Sequence, residues 1–265
     1  MAARVRKYSS VSRFVSIIVP AYNEEDNVSP CVRQLVDAFS SSKYDFEILL
    51  VNDGSTDKTL ETATRLLTDF QQLRLLDLRR NYGKTVALRE GVRRAKGNLV
   101  AFFDADLQYD VQDVVKLAEL TDHRADVVCG RRDYQEYGST RTTLSLLYNM
   151  ILRIVFGLSV SDSNCGVKVL VRESVDTNYV FRYGLPLVVP LLKLKGWRIA
   201  ELPVSLRRRK AGVSKYYREG SFLGGWKFFR EISVHSAMLL TLLVGLVLRG
   251  RKVIASQTGN SSQSI

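Results

Sequence analysis

The stretch "NLVAFFDADLQYD" (residues 98–110) runs from grease into acid. Leu99 to Phe103 read as a buried strand, and Asp104, Asp106 and Asp110 follow at once. Two carboxylates one residue apart repel each other unless a cation, or water at a sheet edge, absorbs their charge. Working outward, the same alternation recurs. "FVSIIVP" (14–20) precedes a helical stretch over 25–39, "FEILLV" (46–51) precedes another over 57–70, and "LRLLDL" (73–78) leads into "KTVALREGVRRA" (84–95). "LVAFF" (99–103) is followed by "VQDVVKLAEL" (111–120), and "ADVVCG" (125–130) closes the series. Continuous Val/Ile/Leu runs with helical crossovers predict an α/β fold, a mostly parallel sheet covered by helices on both faces.

In such sheets ligands sit at the carboxyl ends of strands. The polar clusters fall there: "AYNEED" after the first strand, "NDGSTD" after the second, "DADLQ" after the fourth and "GRR" after the fifth. Beyond Arg141, "TLSLLYNMILRIVFG" (143–157) is helical and very apolar, while "CGVKVLV" (165–171) and "WRIAELPVSL" (197–206) read as further strands. No internal repeat is visible.

The 265 residues are 46% hydrophobic, enough for one large α/β domain or a domain plus a small appendage. A net charge of +12 favours an anionic partner, whether nucleic acid, acidic lipid or a phosphorylated small molecule, although a merely soluble basic surface would read the same. Cys31, Cys129 and Cys165 are odd in number and form no C-x-x-C pair, which argues against a disulfide framework and a zinc site and suits a reducing compartment. With only His123 and His235, histidine-rich metal sites are excluded.

"VNDGSTD" (51–57) and "PAYNEE" (20–25) read equally as capped βα turns, and neither carries a G-x-G-x-x-G or P-loop fingerprint. "DADLQ" (104–108) offers another way to hold phosphates. Asp104 and Asp106 can both approach one hard cation, with Gln108 as a further oxygen donor. Mg2+ typically takes one or two carboxylates and completes its shell with water and substrate phosphates. Alone, a D-x-D pair is more often a solvated loop than a ligand set; after a buried strand, and beside two other acidic turns, the metal reading is preferred.

In order, "SIIVPAYNEE", "VNDGSTD", "RRNYGKTVALREG", "FFDADLQ", "GRR" and "RRRKAGVSK" resemble the inverting, metal-dependent glycosyltransferases of the GT-A fold, over roughly residues 14–216. Among these the chain looks most like the dolichol-phosphate mannosyltransferase group of family 2, the polyprenyl-phosphate glycosyltransferases. The resemblance implies a nucleotide-sugar-binding, Rossmann-like domain in which Pro20, Tyr22, Glu24, Asp53 and Lys84 line the nucleotide pocket. Asp104, Asp106 and Gln108 would hold Mg2+ or Mn2+ against the donor diphosphate. Arg132, at the family's G-x-R, would join Arg141, Ser145, Arg209 and Lys215 in receiving the lipid phosphate, with Asp104, Asp106, Arg132 and Arg209 as the catalytic set. "YDVQD" where the family often has proline, and "SDSNCGVKVL" (161–170) in place of a T-S-G-F-R-like stretch, bear on acceptor and sugar preference more than on reaction class.

"SLRRRKAGVSKYYREG" (205–220) is a dense basic run. It reads as a solvated face, a nucleic-acid patch or a lipid-facing surface. Phe222, Trp226 and Phe229 then recur at helical spacing beside Lys227 and Arg230, which fits a helix in the headgroup region. "AMLLTLLVGLVL" (237–248) is apolar but short of the ~20 residues a span requires. A re-entrant segment, an in-plane helix, a docking site for a small membrane subunit and a buried core helix all stay open; membrane attachment of a cytoplasm-facing enzyme is favoured. The organisation expected is a basic segment over 1–13, the catalytic domain over 14–216, a membrane-associating segment over 217–252 and a disordered tail over 253–265.

The expected activity is transfer of a hexose from a nucleotide sugar, of GDP-mannose or UDP-glucose type, to a polyprenyl (dolichyl) phosphate. The expected partners are these two substrates and a membrane, with a small membrane subunit or a homo-oligomer left open and nucleic acid excluded. A saccharide or glycolipid acceptor is the alternative within the class, and a non-catalytic binder of anionic lipid or nucleic acid the alternative outside it. The carboxylate pair separates them, since a binder of polyanions gains nothing from acids at its ligand mouth.

Overall fold

The computed structural model describes residues 13–133, 139–182 and 184–207, with only the backbone given for 122–123, 139–142 and 144 within their helices. Arg209, Lys215, the 217–252 segment and the 253–265 tail lie outside the described residues, and of Arg141 only the helical backbone is described. Among the described residues, no helix is long and apolar enough to cross a membrane.

Seven strands form one sheet in the order β3-β2-β1-β4-β6-β5-β7. They are β1 (Phe14–Ala21), β2 (Asp45–Asn52), β3 (Leu73–Asp77), β4 (Leu99–Phe102), β5 (Val127–Arg132), β6 (Lys168–Val171) and β7 (Ile199–Val204). The crossovers are α1 (Glu25–Ser40), α2 (Thr59–Asp69), α3 (Lys84–Arg94) and α4 (Val111–His123). After β5 comes α5 (Ser139–Phe156), and between β6 and β7 lie the short α6 (Thr177–Val180) and α7 (Val188–Leu194).

The apolar runs sort by parity, as strands buried on both faces must. Val15, Ile17 and Val19 of β1 pack with Ile48 and Leu50 of β2 and Ala101 of β4 against Val28, Val32, Leu35 and Phe39 of α1 and Val114 and Leu117 of α4. Ile18, Leu49 and Phe102 fill the opposite face. There the Phe102 and Phe181 rings meet at 6.1 Å.

The parallel core matches the expectation from sequence, with one addition. β6 runs antiparallel between β4 and β5. β5 therefore does not neighbour β4 but stands one strand away, parallel to β7. The chain order reverses about β1, whose neighbours are β2 and β4. That reversal opens a crevice at the carboxyl ends of these strands.

The turn after β2 depends on Gly54. Its φ is +66°, and a Cβ there would fall 2.2 Å from the Arg80 carbonyl carbon and 2.3 Å from its Cα. The loops after β2 and β3 thus touch backbone to backbone. Gly54→Ala is expected to cost at least about 2 kcal/mol from the strained conformation. That lowers the melting temperature by roughly 4–8 °C for a domain of this size, readable by thermal denaturation.

Candidate active site

The loops after β1 and β2 are sewn together at the crevice. Asn23, at φ +53°, takes a left-handed conformation that asparagine tolerates better than most residues. Its backbone N–H donates to Ser55 Oγ at 3.0 Å, and its Oδ1 accepts from the Thr56 N–H at 2.8 Å. The Glu24 N–H donates to Thr59 Oγ1 at 2.8 Å, and Glu24 Oε2 accepts from Asn27 Nδ2 at 2.7 Å. Pro20, Tyr22 and Glu24, three of the residues expected at the nucleotide, are half-buried along this seam.

Asp53 is 3% exposed. Its Oδ1 accepts from the Tyr82 N–H at 2.8 Å and its Oδ2 from the Gly83 N–H at 2.9 Å. The carboxylate thereby fixes the start of α3, whose first residue is Lys84. Lys84 Nζ reaches across to Asp104 Oδ1, 2.5 Å away. The structure thus brings Asp53, Lys84 and Asp104 into one chain of contacts spanning three strand ends.

After Phe103 the chain turns through Leu107 at φ +55°. Asp106 is 6% exposed, and its Oδ1 accepts from the Gln108 N–H at 3.2 Å. Asp104 is half-buried, with Oδ2 packed on Gly166: a Cβ at that position would lie 2.7 Å from the oxygen. Asp110, the third acid of the opening stretch, caps α4 by accepting from the Gln112 N–H at 2.9 Å and pairs with Arg207. The Gln108 carbonyl accepts from the Arg207 N–H at 2.7 Å, so the chain leaving β7 passes beside the acidic turn. A recess of about 80 Å³ opens next to Lys84, lined also by Phe102, Asn164, Gly166 and Lys168.

Among the described residues no group of three or more His, Cys, Asp or Glu could enclose a metal ion. The donor set is instead two carboxylates at one strand end, the all-oxygen ligation that a hard ion shared with substrate phosphates uses. Asp104 already holds one cation, the Lys84 ammonium. The residues present therefore fit a divalent ion.

Across β6, Arg132 ends β5 beneath α5. Its Nε donates to Asp162 Oδ2 at 2.7 Å and its Nη2 to Asp162 Oδ1 at 2.8 Å, the fork-on-fork geometry that arginine favours. Asn149 Nδ2 donates to the same Oδ1 at 3.1 Å, and Ser145 Oγ lies 3.5 Å from Arg132 Nη2. Ser145 and Arg132 are thus brought together as expected. Asp162 and Asn149 went unread in the sequence: they lie 30 and 17 positions from Arg132, and no local spacing joins them. Glu201 of β7 secures the far side by accepting from the Ser161 N–H at 2.6 Å.

Burial works to raise the Asp162 carboxyl, but the hydrogen bonds and charge of Arg132 outweigh it and hold the group below its ordinary range. With side-chain exposures of 12% for Arg132 and 1% for Asp162, neither ion has water to fall back on. Asp162→Asn is expected to cost about 3–5 kcal/mol near neutrality, because it leaves a buried guanidinium without its counter-charge. Because the folded pKa is depressed, the pair's contribution is complete above the unfolded value and drains as pH falls through the folded one. The gap between wild type and variant in urea titrations should therefore narrow below about pH 4.

Residues 16–178 match Glycosyl transferase family 2. Among curated proteins, the chain is similar to the dodecaprenyl-phosphate galacturonate synthase of Rhizobium johnstonii, 32% identical over 208 residues that cover 76% of this chain and 61% of that protein. It is similar also to the undecaprenyl-phosphate 4-deoxy-4-formamido-L-arabinose transferase of Edwardsiella ictaluri, 32% identical over 206 residues covering 77% and 63%. The chain spans about three fifths of the length of these relatives. Among solved structures, glucosyl-3-phosphoglycerate synthase from Mycobacterium tuberculosis, in complex with phosphoglyceric acid, aligns with a TM-score of 0.54 at 20% identity, over 76% of this chain and 73% of that one. A mannosyltransferase from Pyrobaculum calidifontis, in complex with GDP-Man and Mn2+, aligns with a TM-score of 0.54 at 18% identity, over 76% and 58%. At these identities the likeness is one of fold, and that fold is the GT-A sheet. The family match spans more than half of the residues, and the curated relatives are sugar transferases named for polyprenyl phosphates: the chain belongs to glycosyl transferase family 2.

Proposed function

We propose that the protein transfers a sugar from a nucleoside diphosphate donor to a polyprenyl phosphate. The observation that carries this reading is the Lys84–Asp104 ion pair, with Asp106 buried two residues further on, at the crevice where the strand order reverses. Pro20, Tyr22 and Glu24 border the place for the nucleoside, with Asp53 beneath them holding the α3 loop. Mg2+ or Mn2+ would be held by Asp104 and Asp106, with Gln108 as a further oxygen donor. When bound, the ion supplies a positive charge to the departing diphosphate.

The acceptor side follows from Arg132 and α5. A phosphate monoester is already anionic near neutrality, so the nucleophile requires no strong base; it requires cations that offset repulsion between two anionic substrates. Arg132 is held rigid by Asp162, Ser145 offers a hydroxyl beside it, and Arg141 begins the same helix. Arg209 and Lys215, from the basic run, complete the proposed phosphate-binding set. Attack on the face of the anomeric carbon opposite the nucleotide inverts its configuration.

The helix that presents Ser145 also leaves Leu146, Leu147, Met150 and Ile154 exposed, Ile154 at 75%. An apolar patch of this kind beside a phosphate-binding group suits an acceptor with a long hydrocarbon tail. The names of the curated relatives point to a polyprenyl phosphate, and their sugars widen the donor choice beyond GDP-mannose and UDP-glucose to uronic and amino-pentose types. Attachment to a cytoplasm-facing membrane surface is part of the proposal.

The test is incubation with a panel of labelled nucleotide sugars, a polyprenyl phosphate and Mn2+, with label followed into organic solvent. One sugar is expected to partition, and Asp104→Asn to reduce its transfer by at least about 10²-fold. Label appearing only on a water-soluble saccharide would overturn the acceptor assignment. Undiminished transfer by Asp104→Asn would overturn the site.

A further inference from the structure

We propose that Lys84 and the divalent cation are alternative partners of Asp104, so that the cation binds well only with a nucleoside diphosphate that takes the displaced ammonium. This rests on the reading of Asp104 as a cation ligand and adds to it an ordering of the two ligands. Three observations lead there.

The first is which side of Asp104 is accessible. Oδ2 lies against Gly166, where a Cβ would be 2.7 Å from that oxygen and 3.6 Å from Cγ. The other oxygen, Oδ1, carries the Lys84 ammonium at 2.5 Å. A cation coordinating Asp104 at a metal–oxygen distance of ~2.1 Å comes to the side where the ammonium stands. Two positive centres so close repel strongly at this partly screened depth.

The second is that the lysine cannot retreat with its backbone. Asp53 clamps the N–H groups of Tyr82 and Gly83, and the Gly83 carbonyl accepts from the Val86 and Ala87 N–H groups of α3. Displacement is left to the side chain, whose four-carbon stem swings freely.

The third is where the stem can swing. Lys84 borders the recess of about 80 Å³, which Lys168 also lines. Lys168 is 6% exposed and donates to the Cys165 carbonyl. An ammonium driven from Asp104 toward a second ammonium gains nothing there. A diphosphate beside the α3 N-terminus would receive it and share its oxygens with the cation as well. Cation and nucleotide then favour each other, and the coupling is reciprocal.

The test is Mn2+ binding to the full chain, read from the electron paramagnetic resonance signal of free Mn2+, with and without UDP or GDP. In wild type, Mn2+ alone should bind weakly and nucleotide should tighten it by roughly 5- to 150-fold. Lys84→Gln should bind Mn2+ alone about tenfold more tightly and lose most of the tightening by nucleotide. Lys84→Arg keeps the charge and should retain the wild-type pattern, which also controls for misfolding. If Lys84→Gln leaves Mn2+-alone affinity unchanged and only weakens the ternary complex, Lys84 is a simple phosphate ligand and the exchange is overturned. If wild type binds no Mn2+ with either nucleotide, the cation reading itself falls, a result distinct from the failure of the exchange.

Discussion

A parallel sheet covered by helices on both faces has room for charge only at the ends of its strands, and this constraint places every carboxylate that matters here. At the amino ends, Glu47 of β2 is 4% exposed and accepts from Ser16 Oγ at 2.6 Å, the Lys96 N–H at 2.7 Å and Arg74 Nη1 at 2.6 Å. Burial acts to raise its pKa, and these donors together bring it below the ordinary value. At the carboxyl ends, Asp53 is held by two backbone N–H groups, whereas Asp104 is held by the end of a lysine side chain. Fixed amides make a carboxylate part of the scaffold. A side-chain ammonium leaves it able to change partners.

Much of the architecture could be read from the order of residues, because continuous apolar runs bounded by polar turns leave few alternatives to buried strands joined by helices. Among the described residues, all seven strands and five long helices fall within a few residues of the runs that predicted them. The direction of β6 was not legible. Its four residues, Lys168–Val171, are buried throughout, and a strand covered on both faces carries no pattern that tells up from down. Its place between β4 and β5 is set by pairing across 66 to 72 positions with β4 and 39 to 43 with β5, which no local window contains. The short helices α6 and α7 sit in a stretch with no clear periodicity and went unread for that reason.

The site divides along the same line. Asp104, Asp106 and Gln108 follow a strand so abruptly that their position at a sheet edge was plain, and Asp110 was separable only once its capping of α4 was seen. Asp53 was expected at the nucleotide; its carboxylate is engaged by the Tyr82 and Gly83 amides, a contact made across 29 and 30 positions. Its support of Lys84 could not be anticipated from a turn motif. Arg132 was expected at a phosphate, and Asp162 meets it in a bidentate pair. Sequence supplied the residue types for binding anions but not the internal partners that orient them.

Those partners decide how Arg132 is held. A buried guanidinium with no counter-charge would be costly to hold before substrate arrives, and a carboxylate that cancelled it completely would leave nothing for a phosphate. The bidentate pair uses Nε and Nη2 of Arg132, with the 3.5 Å approach of Ser145 on the same Nη2. Asn149, from one turn farther along α5, donates to the shared carboxylate and so absorbs part of its negative charge. Helix, arginine and carboxylate therefore form one unit, in which the position of α5 and the orientation of the guanidinium are set by the same oxygens. Were a lipid tail to lie along the exposed side of α5 and a phosphate beside Ser145, as proposed, both would act on one rigid element rather than two.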